Sequence, residues 1–254
     1  MFVCEVGCYP VKQFLTRKFF IMPTQKSTDN QLELLTESPS TQVSRRKFLG
    51  YVGLSSALLA TVATSCDKND DNDGRVNLGS GDIGILNYAY ALEQLEAAFY
   101  TKVISSLYSG ITATEQAYLT DIRDHEVAHR EFFKAALGSS AIPALEVNFS
   151  SIDFGNRASV LGAAKAFEDL GVAAYNGAGK LIVSPDYLLL AGKIVSVEAR
   201  HAALIRDLIS NGSFADNTVI DANGLDMQKA PSEVLAAAGT YIVTPINASN
   251  LPTS

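Results

Sequence analysis

Ile122-Arg123-Asp124-His125-Glu126-Val127-Ala128-His129-Arg130-Glu131-Phe132-Phe133 places a glutamate and a histidine three residues apart inside a helical apolar stripe. Leu119, Ile122, Glu126, His129 and Phe133 step by three or four residues, so one helix face carries the acid, the imidazole and the apolar side chains. The spacing returns at Glu198-Ala199-Arg200-His201, where Ile194, Glu198, His201, Ile205 and Leu208 step in the same way. The chain has 3 His, and two of them follow a Glu at this spacing. With 12 Glu in 254 residues, a given position has roughly one chance in twenty of being Glu. Two hits in three are hard to reach by accident.

Working outward from these motifs, the apolar periodicity predicts four helices, over about 82–107, 114–137, 157–183 and 185–210. Asp82 is placed to cap the first, Thr112 or Thr114 the second, and Gly138 to end it. Pro185 opens the fourth, and Asn211-Gly212 closes it. Some twenty residues containing Pro143 and Gly155 separate the second helix from the third. A short helix is expected over 232–241. Two short links with one long crossover between them define a particular all-α four-helix topology. The halves also repeat: Ala91-Leu92-Glu93-Gln94-Leu95 aligns with Ala166-Phe167-Glu168-Asp169-Leu170, and Tyr100 and Tyr175 each follow the glutamate by seven residues.

Glu93 shares its helix face with Leu86, Tyr90, Ala97 and Tyr100, and Glu168 with Leu161, Val172 and Tyr175. The bundle is therefore expected to bury Glu93, Glu126, Glu168 and Glu198 with His129 and His201. Unpaired buried charge costs several kcal/mol, and converging carboxylates repel. No Lys or Arg lies on these stripes, whereas two divalent cations balance four carboxylates. The bland alternative is a pair of Glu-His couples on solvated helix faces. Glu96 is a second candidate in the first helix, although its counterpart in the repeat is Gly171. Tyr100 and Tyr175 are expected as core residues, and His125 is expected to point off the metal face.

A glutamate on the first and third helices and Glu-x-x-His on the second and fourth resembles the ligand set of the ferritin-like superfamily, as in bacterioferritins and rubrerythrins. The run Ile85-Leu86-Asn87-Tyr88-Ala89-Tyr90-Ala91-Leu92-Glu93-Gln94-Leu95-Glu96-Ala97-Ala98-Phe99-Tyr100 looks like the exported branch that includes the desiccation-related proteins. The resemblance implies an all-α, ferritin-like four-helix bundle over 80–212. It also implies a metal site formed by Glu93, Glu126, His129, Glu168, Glu198 and His201, with Glu126 and Glu198 at its catalytic heart.

The N-terminal part reads differently. Ser44-Arg45-Arg46-Lys47-Phe48-Leu49 matches a twin-arginine export signature, and an apolar run from Gly50 to Ala63 follows, too short for a bilayer span. Ala63-Thr64-Ser65-Cys66 resembles a lipoprotein box with Ala63 where leucine is usual, so Cys66 is either a lipid anchor or part of a plain cleaved signal. Met22 is an alternative start. Residues 1–66 form the extension and signal, the acidic run 67–79 a tether, and 213–254 a tail that covers the bundle. Beyond Cys66 there is no cysteine, which excludes a disulfide framework there. Residues 1–66 carry 7 Lys+Arg and 4 Asp+Glu, leaving a net −10 on 67–254 out of −7 for the chain. Such acidity argues against nucleic acid as a partner.

The expected protein is an exported one, periplasmic or anchored to the envelope, holding two divalent ions, iron or manganese. Its small-molecule partners would be dioxygen, peroxide or ferrous iron, in an oxidative-stress role. Mineral storage fits a tethered chain poorly, and no paired cysteines of the rubredoxin kind are present to deliver electrons. The other function class is a non-catalytic envelope protein for stress protection or binding. The oligomeric state is open, a homodimer being one arrangement.

Overall fold

The computed structural model describes residues 74–253. The export signal, Cys66 and residues 67–73 of the acidic run lie outside the described residues. The elements in chain order are β1 (Val76–Asn77), α1 (Gly81–Ser105), α2 (Ala113–Leu137), a 3-10 turn (Gly138–Ser140), α3 (Arg157–Gly179), α4 (Pro185–Ile209), α5 (Pro231–Ala238) and β2 (Ile246–Asn247). The bundle is all-α, made of the hairpins α1/α2 and α3/α4 with one long crossover between them.

Cap chemistry sets several of the boundaries. Thr112 and Glu115 form a capping box at the start of α2, and Gly138 ends that helix with φ of 54°. Asn156 caps α3 by accepting from the Ala158 and Ser159 backbone N–H groups. Ser184 accepts from the Tyr187 N–H, and Pro185 follows at the first position of α4.

Several expected boundaries move: α1 ends at Ser105 rather than 107, and the short α5 ends at Ala238 rather than 241. Ser80, not Asp82, is the N-cap residue of α1. The Asp82 carboxylate instead accepts from the Val183 and Ser184 N–H groups at 2.7 and 2.8 Å, pinning the α3–α4 link to the first turn of α1. The third helix accordingly stops at Gly179 rather than at 183, since the residue before Pro185 is also biased away from helix.

The packed domain also begins earlier than a tether ending at 79 would allow. Val76 and Asn77 pair in parallel with Ile246 and Asn247, and Leu78 is fully buried.

The apolar residues of α1 run almost all the way round, and α1 is the most deeply buried helix. Beyond its neighbouring helices, the crossover covers it, held by two amides. Asn87 donates to the Leu78 and Ser140 carbonyls and accepts from the Ile142 N–H, while Gln94 accepts from the Leu145 N–H at 2.9 Å. Behind it, Phe99, Phe149, Phe154, Phe167 and Tyr241 form an aromatic cluster, mostly edge to face, which joins crossover and tail to the bundle.

The tail docks on α3 as well. The Lys229 N–H donates to the Ala173 carbonyl at 2.9 Å, and a Cβ added at Gly177 would lie 1.8 Å from the Lys229 carbonyl oxygen. Gly177→Ala is therefore expected to force the two backbones apart at a cost of about 1–3 kcal/mol, read as a lower urea midpoint. An unchanged midpoint would mean that this contact is not made.

Candidate metal centre

Six side chains from four helices meet at the middle of the bundle. On α1 and α3 the outer acids Glu93 and Glu168 point inward, and each is fixed by a tyrosine of the opposite hairpin. Tyr100 donates to Glu168 Oε1 at 2.5 Å, and Tyr175 donates to Glu93 Oε1. The two tyrosines are core residues standing beside the site, as expected, and are also the hydrogen-bond partners of its outer carboxylates. This leaves Glu93 Oε2 and Glu168 Oε2 facing the centre.

The α2 and α4 residues complete a nearly twofold arrangement. His129 Nδ1 lies 2.8 Å from Glu198, 3.5 Å from Glu93 and 3.8 Å from Glu126. His201 Nδ1 lies 2.9 Å from Glu126, 3.5 Å from Glu168 and 3.6 Å from Glu198. Each imidazole therefore faces the acid three residues before it, the acid of the other motif, and one outer acid.

Five of the six side chains are buried, and His129, at 13% exposure, is partly so. Glu126, Glu168 and Glu198 are 0% exposed, Glu93 1% and His201 4%. The carboxylates and imidazoles sit close enough to attract, yet eight inward atoms lack a properly aligned hydrogen bond: Glu93 Oε2, Glu168 Oε2, both oxygens of Glu126 and of Glu198, and the Nδ1 atoms of His129 and His201. Orphaned buried polar atoms at this density need an explanation. A metal supplies one, because a lone pair aimed between several oxygens is poorly placed for any single hydrogen bond and well placed for a shared ion. The donors form two groups, each with its ligand atoms within 4.8 Å of one another: Glu93, Glu126, His129 and Glu198; and Glu126, Glu168, Glu198 and His201. Glu126 and Glu198 belong to both.

Residues 81–211 match the family described as the ferritin-like domain, just over half of the chain. The chain belongs to the ferritin-like family. No curated protein matches it significantly. Both the helical architecture and the buried Glu/His cluster that could hold metal ions agree with membership of this family.

The electrostatics of this ferritin-like centre correct one expectation. Cations are not the only way to relieve the carboxylates, because the imidazoles take up protons. Burial alone would push His129 down, but Glu126, Glu198 and Glu93 outweigh it and raise the imidazole to about 12. His201 is likewise raised to about 12, against its own burial, by Glu126, Glu168 and Glu198. Burial works against Glu126 as an anion, yet the two imidazoles hold its carboxyl at about 2. Glu168 rises to about 8 through burial, opposed by His201 and reinforced by Glu126. Burial and then Glu198 raise Glu93 well above the usual carboxylate range, with His129 opposing.

Glu96 is buried but belongs to neither group of residues that could hold an ion, whereas Glu93 belongs to one. Glu96 occupies the space beside Gly171, where an added Cβ would come 3.1 Å from Glu96 Oε1. Burial raises its carboxyl well above the ordinary range, with Glu126, Glu198, Glu168 and Glu93 adding to the effect. A raised acid weakens the fold above its unfolded value of 4.5. Glu96→Gln is accordingly expected to raise the melting temperature of metal-free protein at pH 8 and leave it nearly unchanged at pH 4. A lower value at pH 8 would contradict this electrostatic reading.

His125 points off the ligand face, as expected: it is exposed and belongs to neither donor group. It lies against His201, with Nδ1 2.9 Å from His201 Nε2. Its place one residue before Glu126 moves it round the helix, and its ring then reaches α4. No periodicity of α2 alone could have shown this, because the partner is on another helix.

Proposed function

We propose that this is an exported ferritin-like protein holding two redox-active metal ions, iron or manganese, and reacting with peroxide or dioxygen. The reaction is removal of peroxide or oxidation of ferrous iron. What supports it most is the sharing of Glu126 and Glu198 by two buried donor groups whose inward atoms lack other partners. Carboxylate and imidazole donors suit iron and manganese, and two divalent ions balance four carboxylates. When bound, such ions supply one-electron steps toward dioxygen or peroxide.

The residues have distinct tasks. Glu126 and Glu198, which belong to both donor groups, would hold both ions and are the pair assigned to catalysis. Glu93 with His129, and Glu168 with His201, would complete one position each. The Tyr175 and Tyr100 hydroxyls hold Glu93 and Glu168 by their outer oxygens, which keeps the inner oxygens aimed at the centre. Ile122 and Phe133 flank the donors on α2, and Ile194 and Ile205 flank them on α4, all buried, so water reaches the centre mainly past the partly exposed His129. The order of basic, apolar and small residues over 44–66 supports export, with Cys66 as lipid anchor or a plain cleaved signal.

The test is elemental analysis and peroxide turnover of protein purified from its native host. Two iron or manganese ions per chain with turnover are expected, and Glu126→Ala and Glu198→Ala are expected to abolish it. Turnover unchanged in both variants rules the reading out. One observation favours a second reading, a non-catalytic envelope protein that protects or binds. His129 Nδ1 lies 2.8 Å from Glu198 and His201 Nδ1 2.9 Å from Glu126, so imidazoles that take up protons there would balance part of the acid charge without metal. That reading predicts a stable metal-free domain whose role survives loss of the ligands.

A further inference from the structure

His125 and His201 meet in a way that stacking does not explain. Their ring planes are 6° from parallel with centres 5.2 Å apart, and His125 Nδ1 lies 2.9 Å from His201 Nε2. Rings stacked face to face keep their atoms about 3.5 Å or more apart, whereas 2.9 Å is the length of a hydrogen bond. The separation of centres equals that contact plus about one ring radius at each end. The rings therefore lie edge to edge and nearly in one plane, with the N–H of one directed along the lone pair of the other.

The direction of the bond follows from the rest of the site. His201 Nδ1 faces Glu126, Glu168 and Glu198 and is its ligand atom. Its Nε2 therefore carries the proton, and His125 Nδ1 accepts it. An imidazole that binds metal through one nitrogen depends on an acceptor at the other to fix its tautomer and plane. Only one half of the repeat has this device. Val197 stands where His125 stands in the other motif, and among the described residues no hydrogen bond joins Nε2 of His129 to a side chain.

We propose that His125 is a positioning residue that accepts the Nε2–H of His201, fixes that ring with Nδ1 toward the carboxylates, and makes the Glu168–His201 position the tighter of two unequal metal positions. The inequality rests on the dinuclear reading above; the hydrogen bond does not.

The experiment uses purified protein freed of metal by chelation and titrated with Co²⁺, followed by visible absorption, alongside His125→Phe and His125→Asn. Phenylalanine keeps a flat ring without an acceptor, and asparagine puts its side-chain oxygen where Nδ1 was. Wild type is expected to fill in two steps. His125→Phe weakens the tighter step by about 10–100-fold and leaves the weaker one unchanged, and His125→Asn restores the wild-type curve to within a few fold. Two equal steps in wild type, equal weakening of both steps, no effect of phenylalanine, or no rescue by asparagine would each overturn the proposal. Long-range ¹H–¹⁵N spectra of the metal-free protein at pH 8 read the hydrogen bond separately: a bare Nδ1 and a protonated Nε2 on His125 are expected. A protonated Nδ1 overturns the proposal even where cobalt binds, and a wild type that takes no cobalt overturns the dinuclear reading instead.

Discussion

Glu198→Gln is expected to empty both proposed metal positions, whereas Glu93→Gln and Glu168→Gln are expected to empty one each. The difference follows from sharing: Glu126 and Glu198 belong to both donor groups, while Glu93 and Glu168 belong to one apiece. Glutamine keeps the volume of the side chain and removes the charge, so the fold is little disturbed and the ligand is lost. The loss exceeds the roughly 10–100-fold that removing a mere outer partner costs. Glu126→Gln behaves like Glu198→Gln. Metal content after dialysis, measured on the four variants with circular dichroism as a check on folding, decides the matter. A Glu198→Gln protein that retains one tightly held ion, or four variants that behave alike, would break the assignment of shared and unshared ligands.

Metal-free protein is expected to lose stability as pH rises from about 5 to 9, and added metal to reverse the trend. The imidazoles of His129 and His201 are raised from 6.5 to about 12, so their stabilisation is complete below 6.5 and declines as pH climbs toward 12. Glu93, Glu96 and Glu168 are raised acids, which hold protons that the unfolded chain gives up above 4.5, Glu168 until about 8. Each such group removes about 1.4 kcal/mol of stability per pH unit within its window. Glu126 acts in the opposite sense: held at about 2, its contribution is present above 4.5 and lost as pH falls toward 2. Metal competes with the protons on these ligands, so affinity and the stability it adds both grow with pH. Melting curves at pH 5, 7 and 9, with chelator and with added Mn²⁺, are expected to diverge as pH increases. A flat metal-free profile would contradict a buried, proton-holding cluster.

Most of this centre was legible because a helix converts spacing into direction. The steps of three and four through Glu126 and His129, and again through Glu198 and His201, put charge on faces that had to be buried, and the repeat chose Glu93 over Glu96. Gly138, Asn211-Gly212 and Pro185 marked helix ends through local backbone preferences, which need no tertiary information. The misses are all contacts between elements distant in sequence. Asp82 resembles a cap until the α3–α4 link is placed beside it, and the third helix runs on to 183 on periodicity alone. The tail's grip on Gly177 and the pairing of Val76 with Ile246 depend on strands and loops too short to leave a pattern. The contact of His125 with His201 escaped for the same reason, its partner being 76 residues away. The proton uptake that balances the carboxylates in the absence of metal depends on distances that spacing does not supply.

Anomalous diffraction at the iron and manganese edges, on crystals of protein purified from its native host, tests the central claim most directly. Two peaks per chain are predicted, one among Glu93, Glu126, His129 and Glu198 and the other among Glu126, Glu168, Glu198 and His201. A centre without either peak, or a single ion bound elsewhere while these six side chains pair only with protons, would contradict it.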